Sequence, residues 1–257
     1  MNSQFVTDPM SALASTSCVF IKQIFEWAEV LTGYETPNIY QVYYRPPGSP
    51  YTCLLFSCKE MSGCCERQYC HGHQRPLEMH IKHAQSLNFN GMDFGQDNFA
   101  VFDKPYAFQC YCCCRPSMTG HYSNMNGAIF GSVTEPWTYC DPVFQVRNNN
   151  GPAYSITTNC CTCGYLCGNG CGCFEPVIFP IFKGEECDSS KLENSVGKIV
   201  KHGMGFQSLI SDADNFEIMF PIDATPEDKL MLIGAALMID YSLFEENPRQ
   251  NRSHHHF

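Results

Sequence analysis

The sequence predicts a mainly β fold: an all-β barrel of short strands with one helix appended near the C-terminal end. Runs of β-branched and aromatic residues recur at 39–44, 51–57, 77–81, 99–102, 128–133, 144–147, 154–158 and 177–182. Their length and composition are those of strands. Turn-forming residues separate them, as reversals of the chain require. A helix signal stands at 226–244. Many strands followed by one helix fit a barrel with an added helix.

In chain order, residues 1–16 are polar and small and are expected to be disordered or loosely attached. Residues 18–30 read either as a helix or as strand. Pro47-Gly48-Ser49-Pro50 fits P-x-x-P, but between two strand-like runs it reads as a hairpin loop. No SH3 or WW ligand is therefore expected. One domain spans 17–246, and 247–257, with three histidines before Phe257, is expected to be a disordered tail.

The helix at 226–244 carries its own start signal. Thr225 can cap it, Pro226 suits the first helical position, and Glu227 and Asp228 favour the positive end. From 230 to 239 it is apolar on every side, with Leu230, Leu232, Ile233, Leu237 and Ile239 as large side chains. Gly234, Ala235 and Ala236 let a neighbour pack closely. Such a helix is buried in protein or in lipid. Residues 226–244 would span about 28 Å, near the ~30 Å of a bilayer core. The apolar run stops at Asp240, however, and a carboxylate in lipid costs roughly 2.5–3.5 kcal/mol. Short apolar runs are more often core helices. Enclosure by protein is the favoured reading and a membrane span the alternative.

The formal net charge of −10 argues against nucleic-acid binding through a broad basic surface. It also argues against simple electrostatic docking on anionic lipid. The start of the chain has no charged-then-apolar signal segment, so synthesis in the cytosol is expected. The 18 cysteines are then expected to be reduced, and buried, metal-bound or acylated.

Three stretches could carry chemistry. Residues 212–223, DADNFEIMFPID, offer alternate carboxylates and carbonyls to a calcium ion. In EF-hand spacing the ligands fall on Asp212, Asp214, Phe216, Ile218, Phe220 and Asp223. Only three of these are carboxylates, and Glu217 replaces the turn glycine, so affinity should be weak. The alternation in 216–220 reads equally well as a barrel strand. The second stretch holds Cys110, Cys112, Cys113 and Cys114. Adjacent strand residues face opposite ways, so the run places at least one thiol at the surface. The third holds Cys160, Cys161, Cys163, Cys167, Cys171 and Cys173 among glycines, with Cys64, Cys65, Cys70, His71 and His73 as a looser group. Zinc and a hairpin of packed thiols both fit that spacing. No G-x-S-x-G, phosphate loop or H-E-x-x-H is found, and no catalytic residue is expected.

One longer string is more specific than any of these. V-G-K-I-x-K-H from Val196, D-A-D-N-F-x-I-x-F-P-x-D from Asp212, and a hydrophobic helix with an Asp near its end follow one another. With Glu29-Val30-Leu31-Thr32-Gly33-Tyr34-Glu35-Thr36 and most of the chain between, the sequence closely resembles the phospholipid scramblases. That resemblance implies a Tubby-like, LURP-one-related fold, a closed twelve-stranded β-barrel around a central hydrophobic helix. It implies calcium-responsive, ATP-independent movement of membrane phospholipids between leaflets in both directions, without covalent chemistry. The family's proposed calcium motif falls on the six positions named above. The family's Cys-rich motif is S-palmitoylated, which points to palmitate at 110–114 and the cytosolic face of the plasma membrane. A nuclear pool would follow where acylation is absent. Lys198, Lys201 and His202 match a nuclear-import segment of some members, although a solvated strand face is the default for two lysines. The rival function is a membrane-tethered interaction protein that uses the same barrel and moves no lipid.

Overall fold

The computed structural model describes residues 8–24, 37–63, 66, 75–83, 98–107, 115–124, 126–159, 176–188, 190–202 and 216–244. Twelve strands form the barrel wall. They are β1 (Cys18–Ile24), β2 (Ile39–Tyr44), β3 (Cys53–Glu60), β4 (Leu77–His83), β5 (Asn98–Lys104) and β6 (Ser117–Tyr122), then β7 (Ile129–Thr134), β8 (Val143–Asn148), β9 (Gly151–Thr157), β10 (Val177–Lys183), β11 (Gly197–Lys201) and β12 (Phe216–Met219). Each pairs antiparallel with its neighbours in the chain, and β12 closes on β1 with Val19 opposite Ile218. Closure leaves no edge strand. Of the ambiguous stretch 18–30 the described part, 18–24, is β1, and 216–219 is strand.

Side chains alternate across the wall as the pleat requires. In β4, Leu77, Met79 and Ile81 are buried while Glu78 is exposed. In β8, Phe144 and Val146 face inward and Arg147 outward. The inward set meets a second, longer helix, α2 (Pro226–Ile239), which fills the barrel. Leu230, Leu232, Ile233, Leu237 and Ile239 are all 0% exposed. Each contributes roughly 1.5–3 kcal/mol by leaving water. A capping box opens α2: Thr225 Oγ1 accepts from Asp228 N at 3.1 Å, and Thr225 N donates to Asp228 Oδ2 at 3.2 Å. The last turn, Asp240–Phe244, widens to a π-helix.

Three glycines set how closely α2 meets the wall. Gly120 and Gly131 are cross-strand partners on β6 and β7. A Cβ on Gly131 would lie 2.6 Å from Met231 Cγ and 2.7 Å from Arg147 O, and one on Gly120 would strike the Phe130 ring at 2.5 Å. On the helix, Gly234 leaves room for the Phe102 ring, 3.0 Å from where a Cβ would stand.

The N-terminal segment departs from expectation. Residues 9–15 are not loose but form a helix, α1 (Pro9–Ser15), capped by Asp8, whose Oδ1 accepts from Met10 N at 3.1 Å. Leu13 is fully buried. Lys229 Nζ donates to Leu13 O at 2.8 Å, Ala14 O at 3.0 Å and Thr16 O at 2.8 Å. A cation on the last carbonyls of a helix satisfies groups that have no partner within it. Burial lowers the Lys229 pKa.

Candidate functional site

The barrel ends differ because α2 enters at one and leaves at the other. At the entry end, Asn148 Nδ2 donates to Asp228 Oδ1 at 2.9 Å, and Tyr122 OH donates to Glu227 Oε1 at 3.2 Å. Burial first, then the Glu227 carboxylate, pushes Tyr122 up to about 12. At the exit end the strands bring together ion pairs that stop the apolar core. Asp240 ends α2 and is 8% exposed. Its carboxylate accepts from Lys201 Nζ at 2.6 Å and from Tyr40 OH at 2.8 Å. The Lys201 ammonium also lies 4.3 Å from the Phe216 ring centroid. Beside this pair, Glu60 and Arg75 form a second one at 3.1 Å, with the two side chains 0% and 2% exposed. Tyr241 joins it, donating to Glu60 Oε2 at 2.9 Å and accepting from Asn38 Nδ2 at 2.9 Å. Lys104 Nζ donates to Arg75 O at 2.6 Å.

A third pair lies at the same end. Arg115 Nη2 meets Glu135 Oε1 at 3.1 Å, and Arg115 Nε donates to Glu135 O at 3.1 Å. Burial pushes the Glu135 carboxyl up, and Arg115 only partly opposes it. Charges enclosed like these are tolerated because each is paired and hydrogen-bonded. The helix is thus apolar in its middle and fastened by polar groups at both ends. Its side chains occupy the barrel interior, packed against the inward faces of the described strands.

The family model for scramblases matches residues 2–246. The chain belongs to the scramblase family. It is 29% identical to human phospholipid scramblase 1 over 245 residues, covering 93% of this chain and 67% of that protein. It is 28% identical to bovine phospholipid scramblase 2, with 88% and 68% covered. It is 27% identical to human phospholipid scramblase family member 5, with 91% and 76% covered. The chain therefore spans about two thirds to three quarters of the length of these relatives. No solved structure matches it.

In this scramblase chain the predicted site residues fall in different places. The five helix positions Leu230, Leu232, Ile233, Leu237 and Ile239 are in the barrel core. Among the described residues no helix is long and apolar enough to cross a membrane. Of the six calcium positions, Asp212 and Asp214 lie outside the described residues. Phe216 and Ile218 belong to β12 and point into the core at 0% exposure. β12 is flanked on both sides, with Phe216 opposite Ile21 and Lys201, and Ile218 opposite Val19 and Ile199. Its main-chain groups thus serve the ladder. Phe220 is buried. Asp223 comes after β12, near the barrel end where α2 enters, and is paired with Lys183. That ion pair lowers its pKa. The described members are a strand and the turn that follows it.

The palmitoylation candidates Cys110, Cys112, Cys113 and Cys114 lie outside the described residues, as do the zinc candidates Cys160, Cys161, Cys163, Cys167, Cys171 and Cys173. The strands that flank them end at the mouth where α2 exits: Lys104 and Ser117 for the first group, Thr157 and Val177 for the second. Among the described residues no group of three or more His, Cys, Asp or Glu could hold a metal. Cys53 and Cys58 are buried, and burial raises the Cys58 thiol pKa.

The exit-end ion pairs were not predicted. Asp240 was visible as a carboxylate closing an apolar run. Lys201 read as a solvated strand residue, yet it is 6% exposed. Its partner is 39 residues away, a separation that no local pattern reports.

Proposed function

We propose that this protein is a phospholipid scramblase that lets lipids pass between the two leaflets of a membrane in both directions, without ATP and without covalent chemistry. The observation that carries the proposal is the scramblase family match over residues 2–246, to which relatives named as phospholipid scramblases add similarity over most of the chain. The structure supports a constraint on mechanism. A lipid headgroup must avoid exposing its charges to hydrocarbon, which is strongly unfavourable when they are unpaired. The barrel interior is filled by α2, so lipid would travel along the outside of the protein unless the helix moved. Palmitate at Cys110, Cys112, Cys113 or Cys114 would hold the exit end at the cytosolic face of the plasma membrane, since stable anchoring takes two lipid signals and adjacent thiols can supply them.

The test is the full-length protein in vesicles carrying head-labelled phospholipid, without nucleotide. The expected result is that label in the inner leaflet becomes accessible to a reductant added outside, and that outer label moves inward at a similar rate. The same vesicles with and without calcium or a zinc chelator test each ion. If no label moves in any of these conditions, the barrel serves instead as a tethered interaction scaffold.

A further inference from the structure

The exit end of the barrel carries a feature that the core and its ion pairs do not use. The connection from β7 to β8, residues 135–142, holds Trp137 and Tyr139 in the open, 48% and 92% exposed. Their rings meet edge to face at 4.4 Å between centroids. The loop beneath them is firmly held. Arg115 grips Glu135 through both its carboxylate and its carbonyl, and Arg115 Nη2 reaches Pro136 O at 3.4 Å. Thr138 Oγ1 donates to Asp141 O at 2.7 Å, and Thr157 Oγ1 donates to Pro142 O at 2.9 Å. Two further apolar side chains stand out at this end, Tyr106 after β5 and Met61 after β3, 53% and 50% exposed.

We propose that the Trp137–Tyr139 loop, with Tyr106 and Met61 at the same barrel end, is a docking rim that seats the barrel end-on in the interface of a phospholipid bilayer. Three observations favour lipid as the occupant. The rim is led by Trp and Tyr, whose apolar rings and polar tips suit the headgroup level of a membrane. Glu135, the first charge of the loop, is paired with Arg115, which offsets that charge at the rim. Arg115 is also bonded in sequence to Cys114, so the clamp joins the rim to the cysteine stretch proposed above as an acyl site. The inference rests on the reading that this protein works on phospholipid membranes.

The chain has two tryptophans, Trp27 and Trp137, so a full-length Trp27→Phe protein reports on the rim alone. It is mixed with phosphatidylcholine vesicles with or without brominated acyl chains. Trp137 emission is expected to shift to the blue and to be quenched by the brominated lipid. Trp137→Ala with Tyr139→Ala should weaken partitioning by about tenfold or more while leaving the melting temperature unchanged. Trp137 emission that vesicles neither shift nor quench overturns the proposal, whether or not the protein sediments with lipid, and leaves the rim to a protein partner. Labelled lipid in the same vesicles separates the two claims. Quenching without lipid movement retains docking and removes the scramblase reading, and movement without quenching does the reverse.

Discussion

The pair at the exit end, Lys201 and Asp240, offers the sharpest test of how α2 is held. The two groups are 2.6 Å apart, and their side chains are 7% and 11% exposed. At that separation, with an effective dielectric constant of about 20, their attraction is about 6 kcal/mol. Desolvation of the two ions offsets much of it. Lys201→Met leaves Tyr40 as the hydrogen-bond partner of Asp240 among the described residues, and Asp240→Leu leaves the ammonium among Phe216 and Phe244. Removing one partner of a buried pair is expected to destabilise by roughly 3–5 kcal/mol. For a domain of this size that lowers the melting temperature by about 6–20 °C. The double variant, apolar at both positions, should lie closer to the wild type than either single variant. Thermal unfolding of all four proteins at neutral pH closes the cycle. Single variants within about 0.5 kcal/mol of the wild type, the usual range for exposed positions, would refute the enclosed pair. So would additive effects in the double variant.

Other perturbations address the middle of the helix and the rim. Leu237→Ala should destabilise by roughly 2–5 kcal/mol through the cavity it leaves, read as a shift in the denaturant midpoint with an unchanged slope. Gly131→Ala should destabilise by roughly 1–3 kcal/mol, because its methyl group meets Met231 on one side and backbone on the other; the same midpoint shift reports it. Glu135 adds a pH dependence. Burial raises its pKa above the ordinary 4.5, so the folded state keeps a proton there that the unfolded chain has already lost. The stability it contributes is fullest below pH 4.5 and declines as pH rises towards the raised value. Glu135→Gln, which cannot titrate, should remove that decline when melting is followed across the window.

The strands could be read from the sequence wherever inward positions were large and β-branched or aromatic. Ile39–Tyr44 and Val177–Lys183 show this, since both are dense in such residues. Ser117–Tyr122 shows the limit. Its sequence, SMTGHY, has few β-branched or aromatic residues, and Gly120 sits where it must leave space for Phe130 and Met231; a space left for a distant helix has no local signature. The same holds for α1. Seven short residues do not make a stable helix alone, and three carbonyl bonds from Lys229 hold it in place. At 216–219 the alternation of apolar and polar residues reported a strand, with Phe216 and Ile218 in the core. Closure of twelve strands was not visible in periodicity at all; family resemblance supplied it, and the pairing of β12 with β1 establishes it.

The enclosure of α2 by the barrel wall, rather than by lipid, is the feature on which its place in the fold depends. Amide hydrogen exchange on the full-length protein without lipid or detergent tests it most directly. Residues 230–239 should exchange only through global unfolding, as slowly as the most protected strands, β3 and β10 among them. Exchange in this segment that is faster than in the strands, or that slows only when vesicles are added, would contradict the claim.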